Sequence, residues 1–425
     1  MEKYKNDLLF LLKKAARGEP ALGENVLSSG DLRSILQLSD RHCVFPLITQ
    51  HLLKTDAEAS GSVPLPGKAE IDVARMKVIH QAQRTADLGL LLSHLAKAGL
   101  RPVIMKGAVC RVLYPVPAAR PSVDEDFLIP PDQAADYHRE LTAYGFRTSV
   151  DDEAIDGADE ITYFSTECRM CVEVHKYPFP RDQRAYAHLN GWLEGAYSRA
   201  EEVRCGRFSL LTLCSTDHLI YMLFHVYKHF LHGGFGIRQV CDIGLFSEKN
   251  IGAIDWGRVR QVCREAGIYT FAAAVFAVAV RHLLGETELK NVLDEEVLSS
   301  IDEMPLLDDI MDSGVYGAST MSRMHSSTMT LNAAERQVKC KSKRWRRSGA
   351  DLISTVFPPV DYMAMIYPVL KKAPILLPFT WAVRIIRYLK EHLRTSKSGD
   401  TAAKSVKIGR ERIALMEYYG IIDHK

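Results

Sequence analysis

Three consecutive carboxylates, Asp124-Glu125-Asp126, run straight into the apolar segment Phe127-Leu128-Ile129. Ionised groups are costly to desolvate and repel one another, so an ordinary buried strand does not begin this way. Successive side chains of a strand point to opposite faces, which puts Asp124 and Asp126 together and turns Glu125 away. The two like-facing Cα atoms then lie about 6.5 to 7 Å apart. Carboxylates leaning inward at that separation can share a divalent cation. A third acid on a neighbouring strand would complete the cluster, and Glu173 in "CVEVHK", set between valines, is the natural candidate. His175 shares a face with Glu173 and is open to several roles: a group of its own importance, a hydrogen bond to Glu173, or a cap on the strand end.

The surrounding pattern places this strand in a small mixed α/β domain. Residues 1–97 repeat apolar residues at helical spacing and read as an N-terminal helical region. At "LRPVIMKGAVCRVLYP" the pattern changes. Val103–Met105 reads as a short strand, Lys106-Gly107-Ala108 as a turn, and 108–114 as a helix. After the acidic strand come a helix closed by Gly145 and two strands near 161–165 and 170–176, paired as a hairpin. The α/β domain is bounded at 98–210. A helical domain follows at 211–316, then a polar, irregular, basic linker at 317–350 and a C-terminal helical segment at 351–425. The fold class expected is therefore α/β (α+β), a mixed-sheet domain flanked by helices.

Composition narrows the classes. The chain has 425 residues, 47% apolar and 25% charged, which excludes wholesale disorder. Its net charge of +2 makes no polyanion argument for the whole molecule. The most hydrophobic stretch, 361–388, is broken by Lys371, Lys372 and prolines, and no run of about 18 uncharged apolar residues exists. The N-terminus reads as an amphipathic helix and not as a signal peptide. Nine cysteines without an export signal suggest a reduced, cytoplasmic setting, and the lone Cys168/Cys171 pair reads as buried thiols.

A phosphate-handling site needs a glycine turn where backbone N–H groups meet the ligand at a helix start. Lys106-Gly107-Ala108 supplies such a turn, and Arg120 stands just before the acidic strand, placed for a phosphate or for the acids. The ordered set "VIMKGAVCRVLYPVPAARPSVDEDFLI", "VEVHK" and "FHVYKHFL" with "GIRQVCDIGLF" resembles the uncharacterised nucleotidyltransferase family of bacteria, a branch of the polymerase-beta-like superfamily. The likeness spans about 80 to 390. It implies Asp124 and Asp126 as metal ligands, Glu173 as the third acid and Gly107 as the phosphate-loop glycine. The sequence departs from that pattern at Ala108, where a serine or second glycine is usual, and at Glu125, usually apolar.

The expectation is metal-dependent transfer of NMP from an NTP to a hydroxyl-bearing acceptor, with release of pyrophosphate. Mg²⁺ or Mn²⁺ is the expected cofactor, held by Asp124, Asp126 and Glu173. Lys106, Gly107, Ala108, Arg120 and Lys228 are expected around the nucleotide. The acceptor is open among a small molecule, a protein and RNA. The alternative is a nucleotide-binding or partner-binding module with weak chemistry, associated with a membrane surface. The basic run 336–347, which includes Trp345, suits RNA or anionic lipid. His218, His225, His229 and His232 read as satisfied core histidines, and Arg238 with Asp242 as an i,i+4 ion pair.

Overall fold

The computed structural model describes the chain except residues 1, 21–28, 59–63, 294, 315–320, 343–359, 384–401, 424–425 and most positions within 361–372. Four helices come first: α1 (Lys3–Arg17), α2 (Ser29–Arg41), α3 (Phe45–Glu58) and α4 (Lys68–Lys97). With 30 residues, α4 runs about 45 Å. It buries Ala74, Leu88, Leu91 and Leu95 against the rest of the molecule.

Six strands then form one mixed sheet. They are β1 (Val103–Met105), β2 (Asp124–Leu128), β3 (Glu160–Ser165), β4 (Met170–His175), β5 (Glu201–Cys205) and β6 (Phe208–Thr212), in the spatial order β3-β4-β2-β1-β6-β5. The β3–β4 pair is antiparallel, as the expected hairpin requires, while β2 lies parallel to β4 and antiparallel to β1. Apolar side chains of β1, β2 and β4 are buried, which fits strands covered on both faces. Two helices interrupt the strands, α5 (Gly107–Arg111) directly after β1 and α6 (Ala134–Ala143) after β2.

Behind the sheet the chain is helical again, with α7 (Ser215–His232), α8 (Ile237–Lys249), α9 (Trp256–Ala266) and α10 (Tyr269–Val278). The mixed α/β class with flanking helices is as the sequence indicated. Two features differ. The β5–β6 hairpin lies in a segment for which the pattern gave no strand. Residues 317–349, expected to be irregular, include the helix Met321–Ser342. Thr330 of that helix bonds the Leu231 carbonyl of α7, and Arg323 pairs with Asp309 at 2.7 Å, so the body of the molecule holds it. The basic run 336–347 is helical to Ser342 and otherwise lies outside the described residues. The C-terminal helix Ala402–Tyr418 packs back on the same region, where Arg412 reaches the Phe230 carbonyl. Among the described residues no helix is long and apolar enough to cross a membrane.

Candidate active site

Strand register assembles the site. Met105 faces Asp126 across β1 and β2, and Asp126 faces Glu173 across β2 and β4. Glu160 faces His175 across the β3–β4 hairpin. Period-two alternation then brings Asp124, Asp126, Glu173, His175 and Glu160 to one face of the sheet. Lys106, the residue after Met105, reaches over the same face and sets its ammonium 3.0 Å from Asp126 Oδ2.

Glu125 points the other way and is buried. Its carboxylate meets Arg111 at 2.6 Å and accepts the Ala108 N–H at 3.0 Å. The acid that a strand should not hold is thus neutralised by a buried guanidinium and a helix-start amide. Gly107 adopts φ +28°, and a Cβ there would collide with the Glu125 carboxylate. The turn's glycine therefore makes room for Glu125. Its loop is also partly spent: the Ala108 amide serves Glu125, and the Lys106 amide donates to His218 Nε2 at 3.0 Å. The Gly107 amide stands at the first helical position, where a backbone N–H has no acceptor within its own helix.

Asp126 and His175 are each 2% exposed. His175 Nε2 lies 3.3 Å from Asp126 Oδ1 and 3.7 Å from Glu173 Oε2, and its Nδ1 lies 3.4 Å from Glu160 Oε2. None of these contacts has the alignment of a hydrogen bond, and Asp126 Oδ2 is likewise left without one. One donor atom from each of Asp126, Glu173 and His175 falls within 4.8 Å of the others. Two carboxylates and a buried imidazole without hydrogen-bond partners, grouped at that spacing, fit a divalent cation. Asp124 lines the neighbouring cleft but stands outside this trio.

The charges divide the two acids. Burial pushes the Glu173 carboxyl up, Asp126 and Asp124 add to it, and it reaches about 7. Burial also acts to raise Asp126, but the Lys106 charge and the His175 contact outweigh it and hold the carboxyl below its usual range. The Lys106 ammonium is half-buried, and Asp126, Asp124 and Glu173 outweigh its desolvation and keep it firmly protonated. Adjacent carboxylates with opposed proton affinities are what an acid/base centre needs.

A cleft of about 230 Å³ opens beside the acids. Lys106, Asp124 and Asp126 line one wall, and His225, His229 and Arg238 of α7 and α8 line the other. Two expectations need correction here: the Arg238–Asp242 ion pair, and the placing of His225 and His229 in the core. Arg120 lines the cleft and makes a paired contact with Asp242, Nη2 to Oδ2 at 2.5 Å and Nε to Oδ1 at 3.2 Å. Asp242 is therefore engaged by Arg120 and not by Arg238, whose guanidinium donates to the Pro121 carbonyl. His225 and His229, with Nε2 atoms 3.1 Å apart, face the cleft; core packing does not absorb them. Lys228 sits 3.9 Å from Glu160 and is not among the cleft-lining residues. His218 bonds Thr212 and His232 bonds Tyr186.

Residues 28–284, more than half of the chain, match the family described as uncharacterised nucleotidyltransferase. The chain belongs to that family. Comparison with curated proteins and with solved structures found no match. The matched span of this nucleotidyltransferase family member begins just before α2, takes in the whole sheet and ends just beyond α10, so it holds every residue of the acidic face and of the cleft. Glu160 and Arg238 were missing from the sequence-based site. Counting back from the turn after Ser165 would have found Glu160, because hairpin register sets it opposite His175.

Proposed function

We propose that this protein is a divalent-metal-dependent nucleotidyltransferase of the polymerase-beta-like kind, moving NMP from an NTP to an acceptor hydroxyl with release of pyrophosphate. The observation that carries the reading is the register that sets Asp126 beside Glu173, with the Lys106 ammonium at the same carboxylate and a cleft in front. Asp126 and Glu173 would hold the ion, with Asp124 at the cleft wall. When bound, Mg²⁺ or Mn²⁺ supplies Lewis-acid polarisation of the phosphoryl oxygens and acidifies the acceptor hydroxyl. Lys106 offsets negative charge growing on the phosphates, and Arg238 offers a second cation across the cleft. Glu173 would take the hydroxyl proton on the carboxylate oxygen that does not hold the ion. The acceptor oxygen bonds to the α-phosphorus, the bond from that phosphorus to the bridging oxygen breaks, and the electron pair leaves with pyrophosphate. The acceptor is a hydroxyl on a small molecule, a protein or RNA.

Incubation with α-labelled NTPs, Mg²⁺ or Mn²⁺ and cell extract tests this. The wild-type protein is expected to label an acceptor, and Asp126→Asn to lose at least 100-fold of that activity. Labelling that persists in Asp126→Asn contradicts the site. A second reading, nucleotide binding without transfer, is favoured by the engagement of Ala108 N–H with Glu125 and of Lys106 with Asp126. NTP binding by calorimetry with no pyrophosphate release identifies it.

A further inference from the structure

We propose that His175 is the third ligand of the metal centre, backed by Glu160, and that the site selects Mn²⁺ and related transition metals over Mg²⁺. This rests on the reading of Asp126 and Glu173 as ion-holding residues and specifies which ion they hold.

The ring of His175 is almost wholly buried, out of reach of bulk solvent. Nε2 points between Asp126 and Glu173, at 3.3 and 3.7 Å, without hydrogen-bond alignment to either. An ion about 2.1 Å from each of three donors sets them roughly 3.0 to 3.4 Å apart, depending on whether the angles are right or tetrahedral. The two distances from Nε2 are close to that and all three donors lie within 4.8 Å of one another, so side-chain adjustments close the remainder. The second ring nitrogen faces Glu160 Oε2 at 3.4 Å. A carboxylate behind the distal nitrogen fixes the tautomer and orients a ligating imidazole; it is the usual companion of a histidine on a metal. Glu160 is itself tethered by Lys228 at 3.9 Å. The hairpin register makes this arrangement inherent in the fold, since Glu160 and His175 are cross-strand partners.

Chemistry then sets the choice of metal. A centre of oxygen ligands alone suits Mg²⁺, which binds nitrogen poorly and keeps most of its water. Two carboxylates with one imidazole suit Mn²⁺, Fe²⁺, Co²⁺ or Zn²⁺.

The test uses metal-stripped full-length protein titrated with Mn²⁺ and read by electron paramagnetic resonance. Pulsed spectra are expected to show ¹⁴N coupling from a bound imidazole, and Mg²⁺ to displace Mn²⁺ only at 30-fold or greater excess. His175→Gln should remove the coupling and weaken Mn²⁺ about 10- to 100-fold, while changing Mg²⁺ affinity less than threefold. Glu160→Gln should keep the coupling and weaken Mn²⁺ about tenfold. Mn²⁺ bound without ¹⁴N coupling in the wild-type protein overturns the inference and leaves transfer at Asp126 and Glu173 standing. Failure of the wild-type protein to bind either ion, with or without NTP, overturns both. Because the ¹⁴N signal is read on the wild-type chain, the result does not depend on how well His175→Gln folds.

Discussion

Arg120 and Asp242 show how a single residue's role is decided by its partner. Arg120 stands two residues upstream of Ser122 in sequence, close enough to the acidic strand to look like a phosphate ligand. In the fold its Nε and Nη2 pair with Asp242, which also accepts the Tyr114 hydroxyl at 2.8 Å. The pair ties the loop before β2 to α8 across the floor of the cleft. Removing one partner leaves the other buried and uncompensated, which costs about 3–5 kcal/mol. Arg120→Ala and Asp242→Ala are each expected to lose stability on that scale in urea unfolding. The double variant should lose much less than the sum. Additive losses would show that the two side chains act independently. Lysine should rescue poorly at position 120, because an ammonium lacks the planar fork that meets both carboxylate oxygens.

At the scale of elements, two buried histidines stitch helices to the site, and each works only when neutral. His218 of α7 receives the Lys106 N–H on Nε2, and its Nδ1 donates to Thr212 Oγ1, whose own proton goes to the Ile104 carbonyl. His42, between α2 and α3, accepts the Ile237 N–H on Nδ1 and donates from Nε2 to the Met311 carbonyl. Burial brings both down from 6.5 to about 4. A folded-state value below the unfolded one gives stability that is complete above pH 6.5 and is lost as pH falls from there towards 4. Each histidine contributes a slope of up to about 1.4 kcal/mol per pH unit in that window. Unfolding measured at pH 7, 6 and 5 is expected to show the decline, shallower by about that amount in His218→Asn. An unchanged slope in the variant would remove His218 from this role. The elements themselves were unevenly legible. The acidic strand, the flanking β1 and the β3–β4 hairpin stand out because alternation, a glycine turn and β-branched residues agree there. The β5–β6 hairpin was hidden because "EEVRC" exposes most of its residues and carries little apolar pattern; its signal was Gly206, in a two-residue turn at φ +61°. The helix Met321–Ser342 was hidden because a polar, serine-rich composition masks a helix held by tertiary contacts.

Across the whole molecule, the cleft exists only because three parts of the chain meet. Cys43 from the N-terminal helices, the sheet's acidic face, and α7 with α8 each supply a wall. The alternation of Asp124, Glu125 and Asp126 was readable in the sequence, and so was Glu173 as a neighbour. The roles of Arg238, His225 and His229 were not, because helix spacing tells which residues share a face but not what that face looks upon. The fate of Lys106 was only half readable: its place beside the turn was plain, its pairing with Asp126 was not. Under the proposed function, a cleft with Lys106 on one wall and Arg238 on the other, and Asp124 and Asp126 beside Lys106, would receive the phosphates of a nucleotide. The most direct measurement is a paired labelling of acceptor by the full chain, with NTP carrying the label at the α-phosphate in one reaction and at the γ-phosphate in the other. The account predicts that α-label appears on the acceptor, γ-label appears in pyrophosphate, and both signals vanish in Asp126→Asn and Glu173→Gln. Transfer of the γ-label to the acceptor, or α-labelling that survives both substitutions, would contradict it.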